Sequence, residues 1–324
     1  MNTHRSVAPA LCLVAAILLG PAWADSYPNK LIKMVVPTSA GSVSDVRARQ
    51  VAQRLAVALK QPVIVENRAG AGETLGADYV AKAAPDGYTI LYGTISNLAI
   101  APAFYPNLPY NPRKDFAPIT QSNFVPAVLV ANPKLGVRTM LELIALAKAK
   151  PGMLTCGSRG NGTHTQLMLF QLNREAGIDI IHVPYKNSAS ALTDVVAGQI
   201  DMIFDYSITI MPFIASGTLV PLMTVGHKRS KLLPDVQSAD EAGLPRLEHM
   251  GWSGFLAPAG TPKDIIRRLN AELVRIVRSP ALAQIMIDSG GTAVGNSPEE
   301  FAAFIRSEQD SFAALVKLTG AKGE

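Results

Sequence analysis

Residues 35–45 read VVPTSAGSVSD: a β-branched run, a proline, seven residues with short side chains, then an aspartate. A buried strand that ends in so bare a segment brings its backbone close to something. The pattern predicts a strand up to Pro37, a tight turn, and a helix starting at Ser42, with Ser42 and Asp45 at the hydroxyl-x-x-acid spacing of a capping box. MLTCGSRGNGTHTQL (153–167) repeats the plan, with Thr163 and Gln166 in the corresponding places. Each turn leaves helix N-terminal N–H groups without intrahelical partners, and these, with the positive end of the helix dipole, attract anions. If the two turns face each other across a cleft, backbone holds a small anion from both sides; the alternative is two tight turns at sheet edges.

Outward from these turns, apolar runs alternate with helical stretches. Strands are expected at 31–37, 62–67, 88–93, 127–132, 153–156, 179–185, 200–205 and 219–226, with a strand-like GWSGFLAP at 251–258 and helices at about 262–278 and 298–319. That alternation is the mark of parallel α/β sheets. Further capping boxes are expected at Thr139/Glu142, Ser238/Glu241, Thr261/Asp264 and Ser297/Glu300, with Pro262 and Pro298 at first helical positions. Gly198, Gly217 and Gly320 stand where a helix wants a left-handed terminal residue. No linker rich in Pro, Gly or Ser separates two halves, so two independent domains in series are not indicated; a chain crossing twice between lobes is the alternative.

The N-terminus carries Arg5, an apolar stretch from Val7 to Leu19, Pro21 and the small-x-small ending Ala22-Trp23-Ala24. This is the form of a secretory signal peptide cleaved near Ala24, and the apolar stretch is too short for a membrane anchor. Residues 25–324 exceed what one hydrophobic core usually supports, which points to two domains. The formal charge of +5 over the whole chain is mild, and the absence of a Lys/Arg run argues against nucleic acid or an anionic membrane as partner. Beyond the leader only Cys156 remains, so no intramolecular disulfide is expected, and the scattered histidines argue against a structural metal. No cofactor is expected either.

Catalytic motifs fall away in turn. GSRGNGTH has the glycines of a phosphate loop but Thr163 where lysine is needed, and the third glycine of GAGETLG (70–76) comes one residue late for a dinucleotide fingerprint. GWSGF lacks the spacing of a nucleophile elbow, and of His164, His182, His227 and His249 only His164 lies in a loop near candidate serines. A secreted hydrolase using Ser158 or Ser42 with His164 is thus the rival from another class. Asp45, awkward beside a bound anion, is read as the capping partner of Ser42, free also to orient a bridging water, with Arg49 one turn on at ion-pair spacing. Tyr92, Phe104, Tyr206 and Trp252 are candidates for an aromatic pocket or for core packing.

VVPTSAGSVSDVRAR, PVIVENRAGAG, PDGYTILYG, LPYNPRKDFAPIT, SRGNGT, HVPYK, AGQIDMIFD, LPDVQSADEAGLP and GFLAPAGTP follow one another in an order that closely resembles the periplasmic solute-binding receptors of tripartite tricarboxylate transporters, the Bug family. The resemblance covers essentially all of the chain after the leader. It implies an α/β, two-lobed periplasmic-binding-protein fold of type II, each lobe a sheet flanked by helices, with a ligand cleft between. The lobes would be 25–124 plus 250–324, and 125–249. It also implies an exported, periplasmic, monomeric receptor that binds a small carboxylate and hands it to membrane permease subunits; a ligand-sensing partner of a membrane sensor is a further alternative. By position, the family's ligand-binding loops fall on Ser39, Ala40, Gly41, Ser42 and Asp45, and on Ser158, Gly160, Asn161, Gly162 and Thr163, with Thr94 and Asp205 bordering the cleft. The chain departs from the usual pattern at Ser42 (commonly glycine), Arg159 (proline or a small residue), Gln166 (histidine) and Asn187 (glycine). Arg159 either grips a distal carboxylate or points to solvent.

Overall fold

The strand that opens VVPTSAGSVSD is β1 (Ile32–Val36), followed by α1 (Val43–Leu59), β2 (Val63–Asn67), α2 (Thr74–Ala81), β3 (Thr89–Thr94), the short α3 (Ala101–Phe104) and β4 (Phe116–Val125) in a computed structural model of the chain. The structure describes residues 27–319; the expected leader and Gly320 lie outside the described residues. Pro126 alone separates β4 from β5 (Ala127–Ala131), and there the chain enters a second sheet. That sheet is completed through α4 (Met140–Ala149), β6 (Leu154–Ser158), α5 (His164–Ala176), β7 (Ile180–Pro184), α6 (Ser188–Ala197), β8 (Met202–Tyr206), α7 (Ser207–Ala215) and β9 (Val220–Thr224). The chain then returns to the first sheet with β10 (Gly251–Pro258), α8 (Lys263–Val277), α9 (Pro280–Asp288), the two-residue β11 (Thr292–Ala293) and α10 (Pro298–Thr319).

The first sheet has the order β11-β4-β10-β3-β1-β2 and the second β7-β6-β8-β5-β9. In each, the strands that carry the expected turns are parallel to their neighbours, β1 to β2 and β3, and β6 to β7 and β8. The strands that arrive by crossing, β10 and β5, are antiparallel to theirs. Both faces of each sheet are covered, which is why the central strands read as nearly unbroken apolar runs. Alternate residues of β1 divide the core: Ile32, Met34 and Val36 pack with α1, α8 and α9, while Val35 packs with α2 and α10. In the second sheet Leu129, Cys156 and Phe204 face α4 and α5, and Val128, Val130 and Ile203 face α6 and α7. The two sheets also touch: Leu167 of α5 sits in the same cluster as Phe312 and Leu315 of α10.

The expected strands all form, with ends shifted by a residue or two, but β4 and α9 were not expected. FAPITQSNFV holds a proline and a run of polar residues, so it lacks a strand's alternation; burial of Thr120, Gln121 and Ser122 against β10, and not local preference, makes it one. The capping boxes divide. Thr139/Glu142 and Ser297/Glu300 form in full. Ser238/Glu241 forms both bonds, yet only turns follow it. The Thr261 hydroxyl bonds the Pro258 carbonyl, leaving Pro262 as the uncapped residue before α8 instead of the first residue inside it.

Candidate functional site

The turns after β1, β3, β6 and β8 all open at the carboxyl ends of their strands, where the two sheets face each other, the usual place for a ligand in an open α/β sheet. In the first turn Ser42 caps α1 by accepting from the Asp45 N–H at 3.2 Å, and its hydroxyl meets that of Thr38 at 2.6 Å. Asp45 does not close the expected box onto Ser42; it accepts from the Gly41 N–H at 2.8 Å, one residue earlier. Arg49 Nε, at 3.0 Å, and Asn67 Nδ2, at 2.9 Å, complete its shell. Burial works to raise the Asp45 carboxyl, but these donors prevail and hold it below its ordinary value. The expected Arg49 pairing therefore forms, and Asp45 is a brace for the turn. Gly41 takes a left-handed φ of 78°, with open space beside its α-carbon, so backbone conformation and not crowding demands glycine there. As the first two residues of α1, Val43 and Ser44 have N–H groups with no intrahelical acceptor, and both line the space between the sheets.

The second turn satisfies itself more fully. Arg159 N–H donates to Thr165 Oγ1 at 3.0 Å, Gly160 N–H to Ser158 Oγ at 3.1 Å, and Gly162 N–H to Gln166 Oε1 at 2.7 Å. Thr163 donates its hydroxyl to the Gly160 carbonyl at 2.7 Å, so the expected Thr163/Gln166 box is replaced by a brace from Gln166 to the residue before the cap. The His164 N–H reaches Ser96 Oγ of the first sheet's side at 3.3 Å, and Tyr105 OH donates to the Asn161 carbonyl at 3.1 Å. The turns thus face each other, and the sheets are closed on one another.

Arg159 does not point to solvent. It lies 2.7 Å from Glu73, with both side chains more than nine-tenths buried, and over the ring of Tyr206 at 4.9 Å. Sequence reasoning missed Glu73. It follows GAG in a left-handed conformation (φ 74°), costly for a residue with a Cβ, and its second oxygen accepts from Thr94. Burial pushes its carboxyl up, against the pull of Arg159 and of the Thr94 and Ser96 hydroxyls. Asp205 is fully buried; one oxygen accepts from the Tyr206 N–H, and burial raises its pKa against the pull of Arg159 and of the Ser188 hydroxyl. In the first turn Ala40 is exposed and Ser39 half-buried. All four aromatic candidates pack in the cores, and of them Tyr92, Tyr206 and Trp252 also line the space between the sheets.

The model of the tripartite tricarboxylate transporter family receptor, TctC, matches residues 47–321. The chain belongs to this family. Among TctC relatives, Protein BugT of Bordetella pertussis is 36% identical over 99% of each chain. A solved structure of R. palustris Rpa4515 with adipate is 30% identical, with a TM-score of 0.87, over 91% of this chain and 98% of that one. MatC from Rhodopseudomonas palustris with bound malate is 30% identical, with a TM-score of 0.85, over 90% and 100%. The fold is accordingly that of the periplasmic binding proteins of the TctC and Bug type, and the chain is a solute-binding receptor of that family.

The geometry also speaks to the hydrolase reading. His164 meets Tyr206 OH, at 3.3 Å, and not a serine; Ser158 meets His182 Nε2 instead, at 2.6 Å. Gln166 is oriented by accepting from Gly162 and donating to Asn161 Oδ1, so its amide N–H faces His182 Nδ1 at 3.4 Å. Burial holds the His182 ring at a pKa of about 4, and the Ser158 hydroxyl is drawn into its own turn by the Gly160 N–H and carbonyl. No helix among the described residues is long and apolar enough to cross a membrane.

Proposed function

We propose that this receptor captures a small carboxylate in the cleft between its two sheets and delivers it, from the periplasm, to the permease subunits of a tripartite transporter. The observation that carries the reading is the facing of the two short-side-chain turns, with the unpaired helix N–H groups of Val43 and Ser44 opening into the space between them. That relatives of the same fold were solved with adipate and malate supports the chemical class. On this reading 25–124 with 250–324 and 125–249 are the two lobes, the signal peptide ends near Ala24, and the protein works as a monomer. Ser39, Ala40, Gly41, Ser42, Thr94, Ser158, Gly160, Asn161, Gly162, Thr163 and Asp205 frame the ligand, and Asp45 holds the first loop in shape.

Titration calorimetry against mono-, di- and tricarboxylates and amino acids tests it. One-to-one binding of a carboxylate without turnover is the expected result. Absence of binding across the panel, or a product whose formation stops in Ser158→Ala, overturns it. Loss of uptake of the bound acid on deletion of the gene separates transport from sensing.

A further inference from the structure

Among the described residues near the cleft, Arg47 stands out as a cation with no carboxylate at ion-pair distance. The residue is 4% exposed, and among the described residues no carboxylate lies within 4.0 Å of it. Its Nη2 donates to Ser289 Oγ and, at 3.4 Å, to the Ile285 carbonyl, and its Nη1 to Gln50 Oε1 at 3.4 Å. Those bonds tie it to the carbonyl end of α9, but they are to neutral groups, two of them long, and among the described residues they engage three of its five N–H donors. Burial draws its pKa down from the ordinary value, as expected for a guanidinium without a counter-charge. Val43 and Ser44 stand one turn before Arg47 on α1, and all three residues line one space.

That space is a cavity of about 20 Å³, lined also by Thr94, Asn123, Arg159 and Tyr206. In this closed form the space admits about one water. Its walls come from both sheets, so its size follows their separation. Arg159 enters from the opposite side, and its Nε is a buried donor with no partner among the described residues. Arg159 is answered by Glu73 and also acts on Asp205, whose carboxyl burial pushes toward its neutral form, so that side contributes donors and no net positive charge, while Arg47 contributes charge.

We propose that this cavity is the subsite for a second acidic group of the ligand, with Arg47 supplying the charge that selects aliphatic dicarboxylates over monocarboxylates of the same length. The proposal rests on the carboxylate-receptor reading above and narrows it. The first carboxylate sits at the unpaired N–H groups of α1; the second passes between the lobes to Arg47 and displaces water from the cavity.

The test is calorimetry with succinate, glutarate and adipate, each beside butyrate, pentanoate or hexanoate, on the wild type, Arg47→Gln and Arg47→Lys. Expected is a wild-type preference for the dicarboxylates that falls about 10- to 100-fold in Arg47→Gln, the range for a charged hydrogen bond, while monocarboxylate affinity stays within about twofold. Arg47→Lys should keep part of the preference. A purely structural role would weaken both classes alike, and that result overturns the proposal, as does a wild type that prefers the monocarboxylates. If Arg47→Gln loses cooperative thermal unfolding, Arg47→Lys carries the test: an unchanged preference in a folded Arg47→Lys with a bound dicarboxylate placed away from residue 47 in its crystal structure overturns it. A wild type that binds no carboxylate in the wider panel fails the receptor reading itself, whereas binding with an unaltered preference in Arg47→Gln fails only this subsite.

Discussion

The ion pair between Glu73 and Arg159 joins the two sheets, and breaking it should loosen the closed form measurably. The charges approach to 2.7 Å with side chains only 8% and 9% exposed, so removing one partner strands a buried charge. For such a pair the loss is about 3–5 kcal/mol if nothing moves. The partners stand on opposite sides of the cleft, however, and parting the sheets would let water reach Arg159. Glu73→Gln should therefore cost less than that ceiling in unfolding free energy, and the difference should appear as a shift toward an open form. In a chain beginning at Asp25 the lone tryptophan is Trp252, which lines the space between the sheets, so its emission should move to the red as the cleft opens. Urea unfolding of Glu73→Gln, Arg159→Gln and the double variant should give a coupling of about 0.5–3 kcal/mol, the span for residues in direct contact. Glu73→Gly should lose the same pairing yet regain about 1 kcal/mol, because it relieves the left-handed backbone at φ 74°. A coupling under about 0.5 kcal/mol with unchanged Trp252 emission would refute the argument that this pair holds the sheets together.

Three further outcomes follow from the turns. Because Asp45 is held below its ordinary value in the folded state, its contribution is complete above the unfolded value of about 3.9 and is lost as pH falls through the lower folded value; thermal midpoints should drop more steeply below pH 4 in the wild type than in Asp45→Asn, and parallel curves would remove Asp45 as the brace of the turn. Gly41→Val should keep the fold, since a Cβ there meets nothing within 4 Å, but should strain the left-handed backbone by about 1–2 kcal/mol and abolish carboxylate binding; retained affinity in calorimetry would take the first turn out of the site. At Gly162 a Cβ would fall 2.2 Å from Tyr105 OH, so Gly162→Ala should hinder closure and weaken binding at least about 10-fold, a loss worth 1.4 kcal/mol, and Tyr105→Ala should restore part of it; no rescue would mean that the φ of 75°, and not the clash, is responsible.

Much of the fold was legible because it rests on local patterns. The central parallel strands are buried on both faces, so they appear as apolar runs, and the helix after β1 begins at a hydroxyl, that of Ser42, which caps it. What escaped has nonlocal causes. β4 becomes a strand because β10 and β11 flank it, and nothing in FAPITQSNFV states that these will be its neighbours. Ser238/Glu241 shows the converse, a local signal fully formed with no helix after it, because capping removes a cost at a helix end and does not supply the packed face that a helix needs.

The site divides along the same line. Its framework was legible, since a bare strand-to-helix turn advertises itself by what it lacks. Its charges were not. Arg47 lies on a helix between Val46 and Ala48, and there it reads as one more polar residue facing solvent; the docking of the end of α9 gives it partners in the interior. Glu73 sits in a glycine-rich loop, where an acidic residue normally passes for a solvated one. One signal was available: an acid placed directly after GAG, where the chain turns left-handed, departs from local preference, and such a departure persists only where other contacts hold it. Arg159 is that contact. Read together, an out-of-place acid in one turn and an out-of-place arginine in the facing turn predict each other, because either alone would be a buried charge without an answer. Arg47 has no such counterpart within the described residues, and that asymmetry is what reserves it for the ligand.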